Sequence, residues 1–176
     1  MKTFYIFLDV DGVLNNFNYW DECFKRHHVK GIMSMHCFPF DPKCLNNLMK
    51  LNQELQKQNY NVKIVLSSTW RLNQIDTAIV NSRLAEYGMT IFSRTIYLNS
   101  GDRGLEIKNF IENERYEQTD NFLILDDEIR DIKKHFEDIH IIHTNFDTGF
   151  DSKKLEEAIK KINLKGGTKE WMIELL

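Results

Sequence analysis

The sequence predicts an α/β protein, a three-layer sandwich with helices on both faces of a central, mainly parallel sheet of about five strands. Three observations predict it. Short apolar runs recur along the chain, stretches with helical spacing separate them, and polar residues with chemical potential gather where the apolar runs stop. A run that is apolar at every position suits a strand buried on both faces, as inside a parallel sheet. Parallel neighbours need crossover connections, and the intervening helices supply them. The 176 residues read as one domain, 1–176, and a chain of this size buries about 70% of its unfolded surface.

The elements follow in order. Thr3–Leu8 is the first strand. The stretch from Asn15 to Phe40 is longer than an ordinary strand-to-helix connection and reads as a short cap-like insertion at about 15–40. Asp41-Pro42 supplies a helix N-cap and a proline at the first helical position, and Leu45, Leu48, Leu51 and Leu55 form the stripe behind them. Val62–Leu66 is the second strand, and Met89–Phe92 is a weaker candidate. Leu105, Phe110 and Ile111 fit a helix with Ile107 on its margin. Asn121–Leu125 and Ile139–Ile142 complete the strands. Leu155, Ala158, Ile159 and Ile162, at i, i+3, i+4 and i+7, are the clearest helical stripe in the chain.

Composition removes several classes. A hydrophobic share of 42% and a charged share of 28% suit a globular chain and argue against a disordered, collagenous or membrane-spanning one. The net charge of −3 disfavours a protein that coats DNA. Cys23, Cys37 and Cys44 are odd in number and imply no disulfide framework. They cluster with His27, His28 and His36, but without CxxC or HxxxH spacing, so zinc is not expected. The opening apolar run is interrupted by Asp9 and Asp11. No signal segment or membrane span is therefore expected, and the chain reads as cytoplasmic. Lys165–Lys169 lacks the spacing of a phosphate loop, and the apolar tail Trp171–Leu176 is a candidate docking segment.

In open parallel sheets, ligands bind beyond the carboxyl ends of the strands, so the residues there carry the functional argument. The first strand ends in Asp9-Val10-Asp11-Gly12. Gly12 permits a turn that brings two carboxylates to the crevice, one to attack phosphorus and one to protonate the leaving oxygen. The second ends in Ser67-Ser68-Thr69-Trp70-Arg71, where a hydroxyl can hold a phosphate oxygen and Trp70 and Arg71 are candidates for substrate contact. After Asn121–Leu125 comes Asp126-Asp127-Glu128. Adjacent acids at the end of a buried strand repel unless a cation joins them, and a hard divalent ion such as Mg²⁺ meets that need. Arg103, at a predicted helix start, is the nearer candidate for a site cation. Lys108 reads as part of a solvated helix face.

Taken in order, DVDGVLN, IVLSS, Arg103 and LDDEIRD resemble the haloacid dehalogenase (HAD) superfamily of phosphohydrolases, a Rossmann-like fold. In finer detail DVDGVLN, IVLSSTWR, RGLEIKNFI, ILDDE and DTGFD look like the small HAD domain of Swiss Army Knife RNA-repair proteins. The resemblance implies Asp9 as nucleophile forming an aspartyl-phosphate and Asp11 as proton donor and then base, its carbonyl on Mg²⁺. It implies Ser67 on the transferring phosphoryl group, with Gly12 and Ser68 beside it, and Arg103 as the cation. Asp127 would complete the Mg²⁺ site, with Asp126 and Asp131 as supporting or alternate ligands. Asp11 itself favours phosphate-ester hydrolysis or phosphomutase chemistry over dehalogenation, because a halide leaving group needs no proton.

The expected partner is a phosphorylated substrate, RNA or DNA ends among them, with no membrane involved. The short insertion leaves an open crevice, and its Tyr19, Trp20, Phe24, Lys25, Arg26, His27, His28 and Lys30 mix aromatic and cationic side chains able to stack bases and meet phosphates. The competing reading of that segment is an amphipathic helix over the sheet edge. Two other functions stay open: a phosphatase or phosphomutase for a small phosphometabolite, and a non-catalytic phosphate-binding module.

Overall fold

The computed structural model describes residues 1–27, 40–113 and 121–167. Five strands are all parallel in one sheet: β1 (Lys2–Leu8), β2 (Tyr60–Leu66), β3 (Ile91–Arg94), β4 (Phe122–Asp126) and β5 (Ile141–His143), in the order β3-β2-β1-β4-β5. Helices α1 (Phe17–His27), α2 (Pro42–Lys57), α3 (Gln74–Ala85), α4 (Arg103–Asn113) and α5 (Ser152–Gly167) flank it. The chain runs outward from β1 through β2 to β3, then returns to the other side of β1 for β4 and β5. The order therefore reverses between β1 and β4, and such a reversal opens a crevice at the carboxyl ends of those two strands.

The apolar runs are buried on both faces, as their composition requires. Phe4, Ile6 and Leu8 of β1 pack with Leu48, Leu51 and Leu55 of α2 and Leu155, Ala158 and Ile162 of α5. Tyr5 and Phe7 point to the opposite face, with Ile107 and Phe110 of α4 and with Phe122. The Phe7 ring meets those of Phe110 and Phe122 edge-on at 5.6 and 6.0 Å, an arrangement that suits aromatic quadrupoles. Asp41 caps α2 by accepting from the Lys43 amide at 2.8 Å, with Pro42 at the first helical position.

Several boundaries differ from the sequence reading. In α4 the buried face centres on Ile107, which is wholly enclosed, while Leu105 is 38% exposed. The weak third strand begins at Ile91, because the Met89 amide turns back to the Leu84 carbonyl and closes α3. Asp138–His140 form a 3₁₀ turn, which delays β5 to Ile141. Helix α3 has no apolar stripe to announce it; it is capped by Asn73 and buries Val80 and Leu84. The first part of the 15–40 insertion is a helix, α1. His28, Lys30, His36 and Cys37, and the tail Trp171–Leu176, lie outside the described residues.

Candidate active site

The register of the sheet assembles the site. Leu8 is paired with Leu66 on one side and Leu125 on the other, and Leu66 with Arg94. The next residues, Asp9, Ser67, Asp126 and Thr95, therefore emerge side by side at the carboxyl edge. Their backbones stay in ladder contact: the Asp9 amide donates to Leu125 O at 3.0 Å, Ser67 to Leu8 O at 3.0 Å and Thr95 to Leu66 O at 3.1 Å. Asp9 continues the alternation of Tyr5 and Phe7, so its carboxylate faces α4. Arg103 is the first residue of that helix.

Arg103 joins two acids. Its Nη1 lies 2.6 Å from Asp126 Oδ2 and 3.2 Å from Asp9 Oδ2. Asp9 is 4% exposed and also accepts from the Ser68 hydroxyl and the Val10 amide. Asp126 is fully buried, and its second oxygen accepts from the Glu128 amide at 2.9 Å. Asp127 comes in beside them, half-buried, and Asp9, Asp126 and Asp127 present oxygens all within 4.8 Å of one another. Gly12 makes this approach possible. It sits at φ +69°, and a Cβ built on it would stand 2.5 Å from Asp127 Cγ.

Asp11 is held separately, two residues past Asp9. Its Oδ1 accepts from Asn15 Nδ2 at 2.7 Å, and its Oδ2 from the Trp70 indole at 2.9 Å. Asn15 also accepts from the Gly12 amide at 3.1 Å, locking the turn that presents both carboxylates.

One guanidinium faces three carboxyls, and the charges do not balance. Burial raises the Asp9 carboxyl above its ordinary range, against the pull of Arg103 and the Ser68 hydrogen bond. Burial, and then the neighbouring Asp9, push Asp126 up to about 7. The same two causes raise Asp127. Burial works against the charge on Arg103, but Asp9 and Asp126 outweigh it and hold the guanidinium above its usual value. A hard divalent cation resolves such an excess, and the all-oxygen donor set of Asp9, Asp126 and Asp127 fits Mg²⁺ rather than a softer metal. No other cluster of this kind occurs among the described residues.

The structure brings together Asp9, Asp11, Gly12, Ser68, Arg103, Asp126 and Asp127. Three expectations change. Ser68 reaches Asp9, while the Ser67 hydroxyl is buried without a hydrogen-bond partner, an arrangement that costs about 1–3 kcal/mol unless a ligand or water takes it up. Trp70 is 6% exposed, with its ring against Phe40 and its indole N–H spent on Asp11, so it orients an acid instead of meeting substrate from the surface. Arg71 is not available to substrate. Its Nε, Nη1 and Nη2 are engaged by Thr95 O, by Ser67 O and Ser68 O, and by Glu106. Asp131 pairs with Lys134 at 2.6 Å and stands outside the acid cluster, and Lys108 is half-exposed beside Glu112, as a solvated helix face requires. Asn15 and Glu106 carry no sequence signal strong enough to single them out; the only hint of Asn15 is its place four residues after Asp11.

Residues 5–155 match the family model described as the HAD domain in Swiss Army Knife RNA repair proteins. The chain belongs to this family. The match runs from within β1 through β5 and takes in all the acids of the crevice, and it makes this HAD domain a member of a superfamily of phosphohydrolases that typically use Mg²⁺. No curated protein matches the chain. No helix among the described residues of this HAD domain is long and apolar enough to cross a membrane.

Proposed function

We propose that this HAD domain is a Mg²⁺-dependent phosphomonoesterase that works through an aspartyl-phosphate on Asp9 and takes phosphorylated nucleic-acid ends as substrate. The observation that carries it is the convergence on Asp9 of Arg103, Ser68, Asp126 and Asp127, with Asp11 held two residues away in its own hydrogen-bond frame. Asp9 would attack phosphorus, the ester P–O bond would break, and Asp11 would give its proton to the departing oxygen. Water would then attack the aspartyl-phosphate while Asp11 takes up its proton, releasing phosphate and free Asp9. Aspartate and a phosphate dianion repel, and Arg103 offsets that repulsion where the equatorial oxygens gather charge. Asp9, Asp126 and Asp127 would hold Mg²⁺, with the Asp11 carbonyl; when bound, it supplies charge neutralisation and orients the phosphoryl group.

The nucleic-acid end rests on the family's description as a domain of RNA repair proteins and on the aromatics of α1, where Phe17, Trp20 and Phe24 follow one another with ring centroids 5.8 and 5.6 Å apart. The test is hydrolysis of p-nitrophenyl phosphate with Mg²⁺, with EDTA and as Asp9→Asn, followed by 3′- and 5′-phosphorylated oligonucleotides and small phosphometabolites. Release that needs both Mg²⁺ and Asp9 supports the chemistry, and a steep loss of oligonucleotide affinity with salt supports the polymeric substrate. Turnover of metabolites alone would move the reading to a small-molecule phosphatase. Silence across the whole panel would leave a phosphate-binding module.

A further inference from the structure

Behind the acid cluster, and on the same face of the sheet, lies a second buried ion pair that the chemistry above does not use. Arg71 and Glu106 have side chains only 4% and 3% exposed and meet at 2.5 Å. Arg71 comes from the 3₁₀ turn Thr69–Leu72 that follows β2, and Glu106 from α4. The guanidinium does more than meet its acid. Nη1 donates to Ser67 O at 2.7 Å and Ser68 O at 2.8 Å, and Nε donates to Thr95 O at 3.1 Å, so one side chain gathers the ends of β2 and β3. Glu106 in turn accepts from the Leu98 amide at 2.9 Å, tying in the segment after β3. Lysine could not replace this fork, because a single ammonium cannot reach three carbonyls and a carboxylate in one plane.

The pair connects to the site through two elements. Glu106 lies one helical turn after Arg103, on the same side of α4, so what fixes one sets the position of the other. Ser68, whose carbonyl Arg71 holds, carries the hydroxyl that meets Asp9. Helix α4 is pinned twice. On the β4 side Gly104 lies so close to the 131–135 segment that a Cβ would meet Asp131 O at 2.6 Å. On the β2 side the pin is Arg71–Glu106. The first pin holds Arg103 near Asp126; the second sets the distance between Arg103 and Ser68 across Asp9. Pairing with Glu106 also neutralises Arg71, which feels the charges of both Arg103 and Asp9, and so leaves Arg103 as the cation that Asp9 meets.

We propose that Arg71 and Glu106 are positioning residues that set the placement of Arg103 and Ser68 on Asp9. The proposal rests on the reading of Asp9 as nucleophile. A buried ion pair can often be exchanged for apolar residues of similar volume with little loss of stability, whereas removing one partner strands a charge. The double variant R71M/E106L therefore tests the positioning role. It strands no charge and is expected to fold, with a lowered urea midpoint because three carbonyls and the Leu98 amide lose their partners. It is also expected to lose about 100-fold in kcat toward p-nitrophenyl phosphate with little change in KM, the size associated with a misplacement of about 1 Å. Arg103→Ala should cost less kcat in that background than in the wild type, because the two changes act on the same contact. Arg71→Lys, which keeps the charge and loses the fork, should show the same kcat loss and serves if the double variant does not fold. A folded variant with wild-type kcat, or full additivity with Arg103→Ala, overturns the proposal and leaves a structural strut. If the wild-type protein hydrolyses nothing, the phosphatase reading fails by itself. The positioning claim is then decided by the side-chain ¹⁵N resonance of Arg103, assigned by its loss in Arg103→Ala: a shift in R71M/E106L or Arg71→Lys supports it, and an unchanged signal overturns it.

Discussion

Two buried arginine–carboxylate assemblies stand side by side beneath the carboxyl edge of the sheet. Arg71 meets one acid, Glu106, and its remaining donors are absorbed by carbonyls. Arg103 meets two acids, Asp9 and Asp126, with Asp127 beside them. The first assembly balances its charge and closes on itself. The second carries an excess of carboxylate, keeps Asp127 half-buried, and leaves Arg103 21% exposed. Both pair an arginine with buried carboxylates, so charge type alone does not distinguish a positioning pair from a site. Charge balance and access do, because an unbalanced cluster retains an unmet demand for a cation and an open side through which a ligand can arrive.

Mutations should widen that contrast. The largest effect falls on chemistry: Asp9→Asn is expected to lower kcat by at least about 10³-fold, since it removes the attacking carboxylate itself. In EDTA it should leave the melting temperature equal or higher, because it removes one of three crowded acids. A lower melting temperature would mean that Asp9 is a structural acid. Glu106→Gln should do the reverse to stability, costing about 3–5 kcal/mol in urea unfolding by stranding the Arg71 charge. A cost near zero would erase the distinction between the two assemblies.

A smaller effect concerns the cation. Mg²⁺ at about 100 times its Kd should stabilise the wild type by about 2.7 kcal/mol, and Asp127→Asn should remove most of that gain. R71M/E106L should keep most of the gain, because neither residue is among the three acids that would hold the ion. Calorimetry in matched buffers checks both. The smallest is a pH dependence in EDTA. Burial and Asp9 raise Asp126 to about 7 from 3.8, so the folded state holds a proton that the unfolded state has released. That contribution to stability is complete below about pH 4 and fades as pH rises through about 7. Saturating Mg²⁺ should flatten the decline, and an equal slope with and without the ion would mean that the acids do not hold it.

Much of this was legible along the chain. Uninterrupted apolar runs can only be satisfied by burial on both faces, so four strands stood out, and the motifs at their ends marked Asp9, Asp11, Asp126 and Asp127. Asp41-Pro42 and the stripe of α5 are local signals and held to within a residue or two. Helix α3 had no such signal. Its amphipathic pattern is weak, and neighbouring elements, with the Asn73 cap, carry it.

By itself the sequence determined the α/β class, the acids at the strand ends and the family, because these depend on local composition and on spacing within one motif. Tertiary structure decided the roles of the residues that follow β2. Trp70 bonds to Asp11, 59 positions away, and Arg71 to Glu106, 35 positions away. A Ser-Ser-Thr-Trp-Arg run reads as a substrate surface until the fold delivers partners from β1 and α4. The choice of Ser68 over Ser67 on Asp9 was decided the same way, by how the chain turns at the edge of the sheet. Where a side chain points depends on the local backbone, and what it meets depends on elements brought in from elsewhere, so pairings of this range are set only when the sheet is assembled.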